Sequence, residues 1–187
     1  MSASYIKAAI PEPHTILGRK LRPFCVGHYK ILSRFDCAYV SEKSAQASRE
    51  DLIFAVLVCS MRPKEFLEFI EQADFEKQLK GWGKKVGLFD LKEKSDAFQK
   101  YLDEHSKMPA VWFEQEASSS GAHWTQSVLL CLTSELGYTR EEAEEIPLSQ
   151  AFHDYLKHAE INGAVKFMTD EEIVATQNKE VQNGVAA

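Results

Sequence analysis

Cys25 and His28 lie three residues apart, close enough for a thiol to meet an imidazole if the stretch is helical. A nucleophilic site needs such a pair, a third group orienting the base, and a place for developing charge. Neither a Gly-x-Ser-x-Gly elbow nor a glycine-rich phosphate loop accompanies it. The pair therefore reads as structural. Of the other histidines, His153 and His158 are five apart and would point about 140° from one another on a helix. That is not the spacing that sets two imidazoles on one face around zinc. Cys25, Cys37, Cys59 and Cys131 match neither a redox pair nor a zinc pattern. Cys59 and Cys131 sit in apolar runs and read as small buried hydrophobes. Glu141, Glu142, Glu144 and Glu145 crowd one short stretch, where they complement the positive end of a helix more simply than they make a catalytic acid pair. No catalytic residue, cofactor site or metal ligand is predicted, and the chain is expected not to be an enzyme.

What is left is aromatic surface. Trp112, Phe113 and Trp124 flank a Ser-rich loop, and large aromatic side chains are the usual anchors of protein interfaces. They are the candidate partner-binding residues, set against the alternative that they fold back onto the core.

Composition narrows the partners. A formal charge of −6 repels phosphate backbones, so nucleic acid is not expected. The basic stretch Arg19-Lys20-Leu21-Arg22 reads as a solvated edge. With 44% hydrophobic residues, a chain of 187 residues can bury a core without disulfides or metal. The longest apolar run, Leu52–Cys59, is far shorter than the ~20 residues a membrane span needs, so no membrane crossing is expected. Unpaired cysteines and the lack of a signal peptide predict a reducing, cytoplasmic setting.

The elements that must position these residues read as helices. Residues 1–18, with Pro11, Pro13 and Gly18, predict an irregular arm. A helix is predicted over 23–36 with Pro23 at its first position, and Gly27 inside it allows close packing against a neighbour. Ser48 and Asp51 form a capping signal for a helix over 49–60, apolar nearly all round and so central, although Leu52–Val58 alone could be a buried strand. Arg62-Pro63 restarts the chain into an amphipathic helix that ends at Gly81, Gly83 and Gly87, and another follows over 90–105. Residues 106–122 predict a flexible loop carrying Val111-Trp112-Phe113. A helix over 123–136 stops at Gly137, Thr139 and Glu142 cap a short acidic helix, and Pro147 opens an amphipathic helix that stops at Asn162-Gly163. Asp170–Gln177 predicts a short final turn and 178–187 a disordered tail. The expected fold is all-α: an irregular bundle of about six to seven helices, with 19–163 as a single helical domain and 164–187 as an appendage.

The stretches Leu136-Gly137-Tyr138-Thr139-Arg140-Glu141-Glu142-Ala143, Ile146-Pro147-Leu148-Ser149-Gln150-Ala151 and Ala159-Glu160-Ile161-Asn162-Gly163 resemble a pattern of tailed-bacteriophage proteins. Leu21-Arg22-Pro23-Phe24-Cys25-Val26-Gly27-His28 and Asp51-Leu52-Ile53-Phe54-Ala55-Val56 resemble the opening of the same group. The chain is thus similar, over about half its length, to tail assembly chaperones and tail-associated proteins. The resemblance implies a non-enzymatic factor in the host cytoplasm that binds a helical tape-measure protein, with no cofactor. The alternative it implies is a structural virion protein, a tail completion or connector subunit. Self-association is left open.

Overall fold

A computed structural model of the chain describes residues 12–41, 46–114 and 123–184. It is all-α, with two short two-stranded ribbons at its margins. The helices are α1 (Val26–Arg34), α2 (Arg49–Cys59), α3 (Pro63–Ile70), α4 (Phe75–Val86), α5 (Leu91–His105), α6 (Trp124–Leu130), α7 (Arg140–Glu145), α8 (Leu148–Ile161) and α9 (Asp170–Gly184). A π-helical turn, Cys131–Glu135, continues α6. The ribbons pair β1 (Thr15–Ile16) with β2 (Arg19–Lys20), and β3 (Val111–Phe113) with β4 (Val165–Phe167), both antiparallel.

The centre is α2. Ser48 accepts from the Asp51 N–H while the Asp51 carboxylate takes the Ser48 N–H, a reciprocal cap that fixes where the helix begins. Leu52, Ala55, Val56, Val58 and Cys59 then lose all solvent contact, with α1, α3 and α5 packed around them. The run is a helix and not a strand. The same reciprocal cap at Thr139 and Glu142 starts α7, and Gly137 and Gly163 take the left-handed backbone of helix stops, with φ of +75° and +71°. Pro63 sits in the first turn of α3.

Several elements differ from the sequence reading. Of the expected arm over 1–18, residues 1–11 lie outside the described residues, and its end joins Arg19 and Lys20 in a hairpin over 15–20, turned by Leu17 and Gly18 at φ of 49° and 74°. A two-residue turn of this kind normally announces itself by Asn or Gly at the first position, and Leu17 hides it. The helix expected over 23–36 starts only at Val26, because Phe24 and Cys25 are held extended by tertiary bonds described below. The long amphipathic helix after Pro63 is two, α3 and α4, broken over residues 71–74. Gly81 and Gly83 do not stop α4, since Leu79 and Trp82 pack on the core and carry the helix past them to Val86. Residues 111–113 are a strand and not loop, although 115–122 lie outside the described residues. Finally, α9 runs through to Gly184 where a short turn and a disordered tail are predicted. Its start carries a Thr169–Glu172 reciprocal cap that the sequence reading overlooked.

Candidate functional site

Titratable groups gather around the extended segment Leu21–Cys25, which threads between helices. Buried backbone polar groups must find partners, and those of Arg22 and Phe24 do. The Arg22 N–H donates to the Cys59 carbonyl at 2.8 Å, and the Tyr101 hydroxyl donates to the Arg22 carbonyl at 2.8 Å. The Phe24 N–H donates to His105 Nδ1 at 3.1 Å, and the Phe24 carbonyl accepts from the Leu148 N–H at 2.7 Å. These bonds outweigh the preference of Pro23 for a helix start.

Cys25 and His28 do meet, with Sγ 3.3 Å from Nδ1. His28 Nε2 lies 2.8 Å from the Met61 carbonyl, which can only accept, so that nitrogen carries the proton and Nδ1 is left to accept from the thiol. Burial pushes the Cys25 thiol up to about 12 and the His28 imidazole down to about 4. An activated thiolate needs the reverse: a lowered thiol beside an imidazolium. Both side chains are 1% exposed. In this fold the pair is a neutral hydrogen bond within the start of α1, and the His28–Met61 bond ties it to the turn before α3. His105 is neutral for a related reason. Its Nδ1 accepts from Phe24, its Nε2 faces the Glu12 carbonyl at 3.3 Å, and burial lowers it to about 4.

The remaining candidates separate in space. His153 stacks on Phe167 while His158 Nε2 bonds Asn162 at 2.9 Å. The acidic run on α7 is spent on packing: Glu144 pairs with Lys30 at 2.6 Å and Arg140 at 2.8 Å, and Glu141 pairs with Lys64 at 3.5 Å. Among the described residues no three of His, Cys, Asp and Glu converge as metal ligands. None of the described helices is long and apolar enough to cross a membrane. The basic stretch 19–22 is dispersed as well. The Arg19 guanidinium lies 4.5 Å over the Trp82 ring, and Leu21 is buried.

The three aromatic candidates divide. Trp124 packs inward, 4.8 Å from the Tyr29 ring and 5.4 Å from Phe152. Replacing it with alanine is expected to cost about 2 kcal/mol of stability, a half-buried aromatic losing less than a core one. Urea unfolding of Trp124→Ala measures this. Trp112 and Phe113 stay out, 45% and 70% exposed. They are held by the ribbon, in which Trp112 faces Lys166 and Phe113 faces Val165. The Glu172 carboxylate at the start of α9 is held low, first by the Thr169 N–H that it accepts from. The Glu114 N–H donates to the Ala164 carbonyl and the Met168 N–H to the Ala110 carbonyl, at 3.0 Å each. Strand alternation then turns the N–H and C=O of Val111 and Phe113 toward the other edge of β3. No strand pairs with that edge among the described residues. The ribbon rests on α8 through β4, with Val165 buried and Lys157 5.8 Å from the Phe167 ring. The sequence located these two aromatics but not the strand that presents them. Compared with protein-family models, with curated proteins and with solved structures, the chain matches none.

Proposed function

We propose that the chain is a non-enzymatic protein-binding factor that holds its partner on the β3–β4 ribbon. The observation that carries this reading is the exposure of Trp112 and Phe113 on a backbone fixed by pairing with β4. Aromatic side chains presented on ordered backbone lose little freedom on binding, which is why they dominate interface energetics. The open edge of β3 adds backbone donors and acceptors beside them. In its narrower form, drawn from the resemblance to phage tail proteins, the partner is a long helical protein of the tape-measure type and the role is to keep it soluble until assembly.

Coexpression tests both levels. A complex is expected with the long helical protein encoded by a neighbouring reading frame. The double substitution Trp112→Ala, Phe113→Ala is expected to weaken it by at least about 30-fold, read by titration calorimetry, with little change in the unfolding midpoint. If that helical protein stays equally insoluble with and without this chain, the narrow form is wrong. If the double variant binds as the parent does, the ribbon is not the surface.

A further inference from the structure

On α4 the residues Lys77, Lys80 and Lys84 fall at steps of three and four and so share a face. That face is opposite the stripe of Leu79 and Trp82 that packs on the core. The helix carries four lysines against one glutamate in a chain whose net charge is −6. Lys80 pairs with Glu76 at 3.5 Å, whereas Lys77 and Lys84 have no ion pair among the described residues. An open groove runs among them, bounded by Ile70, Phe75 and Gly81.

Gly81 is the informative position. A Cβ built on it meets nothing within 4 Å, and its backbone is ordinary helix. Nothing in the fold requires glycine there, and alanine would favour the helix. The missing side chain leaves a notch in the lysine face that another backbone can approach closely.

We propose that this groove docks an acidic amphipathic helix from a partner protein. Its carboxylates pair with Lys77, Lys80 and Lys84, which span about 10 Å or two helical turns. Its backbone crosses close at Gly81, with an apolar side chain set against Ile70 and Phe75. Charge complementarity selects an anionic partner. The concave groove, apolar at Ile70 and Phe75 and with the Glu76 carboxylate beside it, fits a folded helix with an apolar face better than a flat anionic bilayer or a continuous phosphate backbone. The groove is separate from the ribbon, so the two readings stand or fall independently.

The test uses the full chain and a stapled helical peptide with leucines on one face flanked by glutamates at three- and four-residue steps, followed by fluorescence anisotropy. Saturable binding that weakens with added salt is expected. Gly81→Ala should raise the thermal midpoint by about 2 °C and yet weaken the peptide by at least about tenfold. Lys77→Glu with Lys84→Glu should abolish binding while the protein stays folded. The proposal is overturned if Gly81→Ala binds as tightly as the parent or if the peptide fails to bind. It is equally overturned if phosphatidylserine vesicles or an RNA duplex bind in preference through the same lysines.

Discussion

Lowering the pH from 7.5 to 5 is expected to cost the fold about 4 kcal/mol, and about 6 kcal/mol by pH 4. The source is His28 and His105, both lowered to about 4 in the fold by burial against an ordinary value near 6.5. As pH falls through 6.5 the unfolded chain takes up two protons that the folded chain refuses, so stability drops until the folded groups titrate too. The direction follows from geometry as well. A proton on His105 Nδ1 would face the Phe24 N–H, donor against donor, and a second proton on His28 would face the Cys25 thiol. Arg22 adds a smaller repulsion to a charged His28. His153 is shifted in the same direction, first by burial. Carboxylates held low by hydrogen bonds, such as Glu142 at its cap, lose their contribution only at more acid pH, so the window from 6.5 to 5 isolates the histidines. Urea titrations at half-unit pH steps read the slope. His105→Asn keeps an acceptor for the Phe24 N–H without a titrating ring, and should remove about half of the pH-dependent loss. Set against total stabilities of about 5–15 kcal/mol for ordinary domains, the loss by pH 4 is a large fraction of what holds a domain folded.

The second large effect is expected at Gly27. A Cβ there would come 2.6 Å from Pro63 Cγ, 2.8 Å from Pro63 Cβ and 3.0 Å from the Glu144 carbonyl oxygen. A pyrrolidine ring in the first turn of α3 and a backbone oxygen on α7 are stiff neighbours, so α1 must move off both helices. Gly27→Ala should therefore destabilise by about 3 kcal/mol, against the gain of up to about 1 kcal/mol that alanine brings to a helix. Gly83→Ala is the control, since its Cβ would meet only Ile53 Cδ1, at an ordinary 3.7 Å. That variant is expected to be neutral or stabilised. Thermal unfolding of the two variants side by side should show midpoints displaced in opposite directions.

Which parts of this were legible in the sequence follows from how local their causes are. The caps at Ser48 and Thr139, the stops at Gly137 and Gly163 and the all-round apolar α2 depend on residues within a turn or two, and the structure has them where the sequence puts them. The close packing at Gly27 was legible as a possibility, though its neighbours Pro63 and Glu144 were not. What escaped depends on distant partners. Trp112 pairs with Lys166 across 54 residues, so a period-two signal only three residues long had nothing local to support it. Pro23 and Phe24 look like a helix start until His105 and Leu148 claim the Phe24 backbone. The hub itself was half visible: Cys25 and His28 announce their contact by spacing, while Tyr101 and His105 join them only through the fold. The Thr169–Glu172 cap was local and readable, and although the sequence reading began the last element at Asp170, where α9 starts, it stopped it at Gln177 and left the rest as tail.

Among the three candidate aromatics the split has a physical logic. Trp124 begins a helix whose buried face includes Val128 and Leu129, and it turns toward Tyr29 and Phe152. Trp112 and Phe113 lie on a ribbon too narrow to cover them. Burial of the one and exposure of the others are why we propose Trp124 for stability and the ribbon pair for binding.

Calorimetric titration of the coexpressed helical partner with the parent chain, with Trp112→Ala, Phe113→Ala and with Trp124→Ala decides the matter most directly. The ribbon variant should keep the parent's unfolding midpoint and lose at least about 30-fold in affinity, while Trp124→Ala, at a temperature where it is folded, should bind nearly as the parent does. Undiminished binding by the ribbon variant, or a loss confined to Trp124→Ala, would contradict the account.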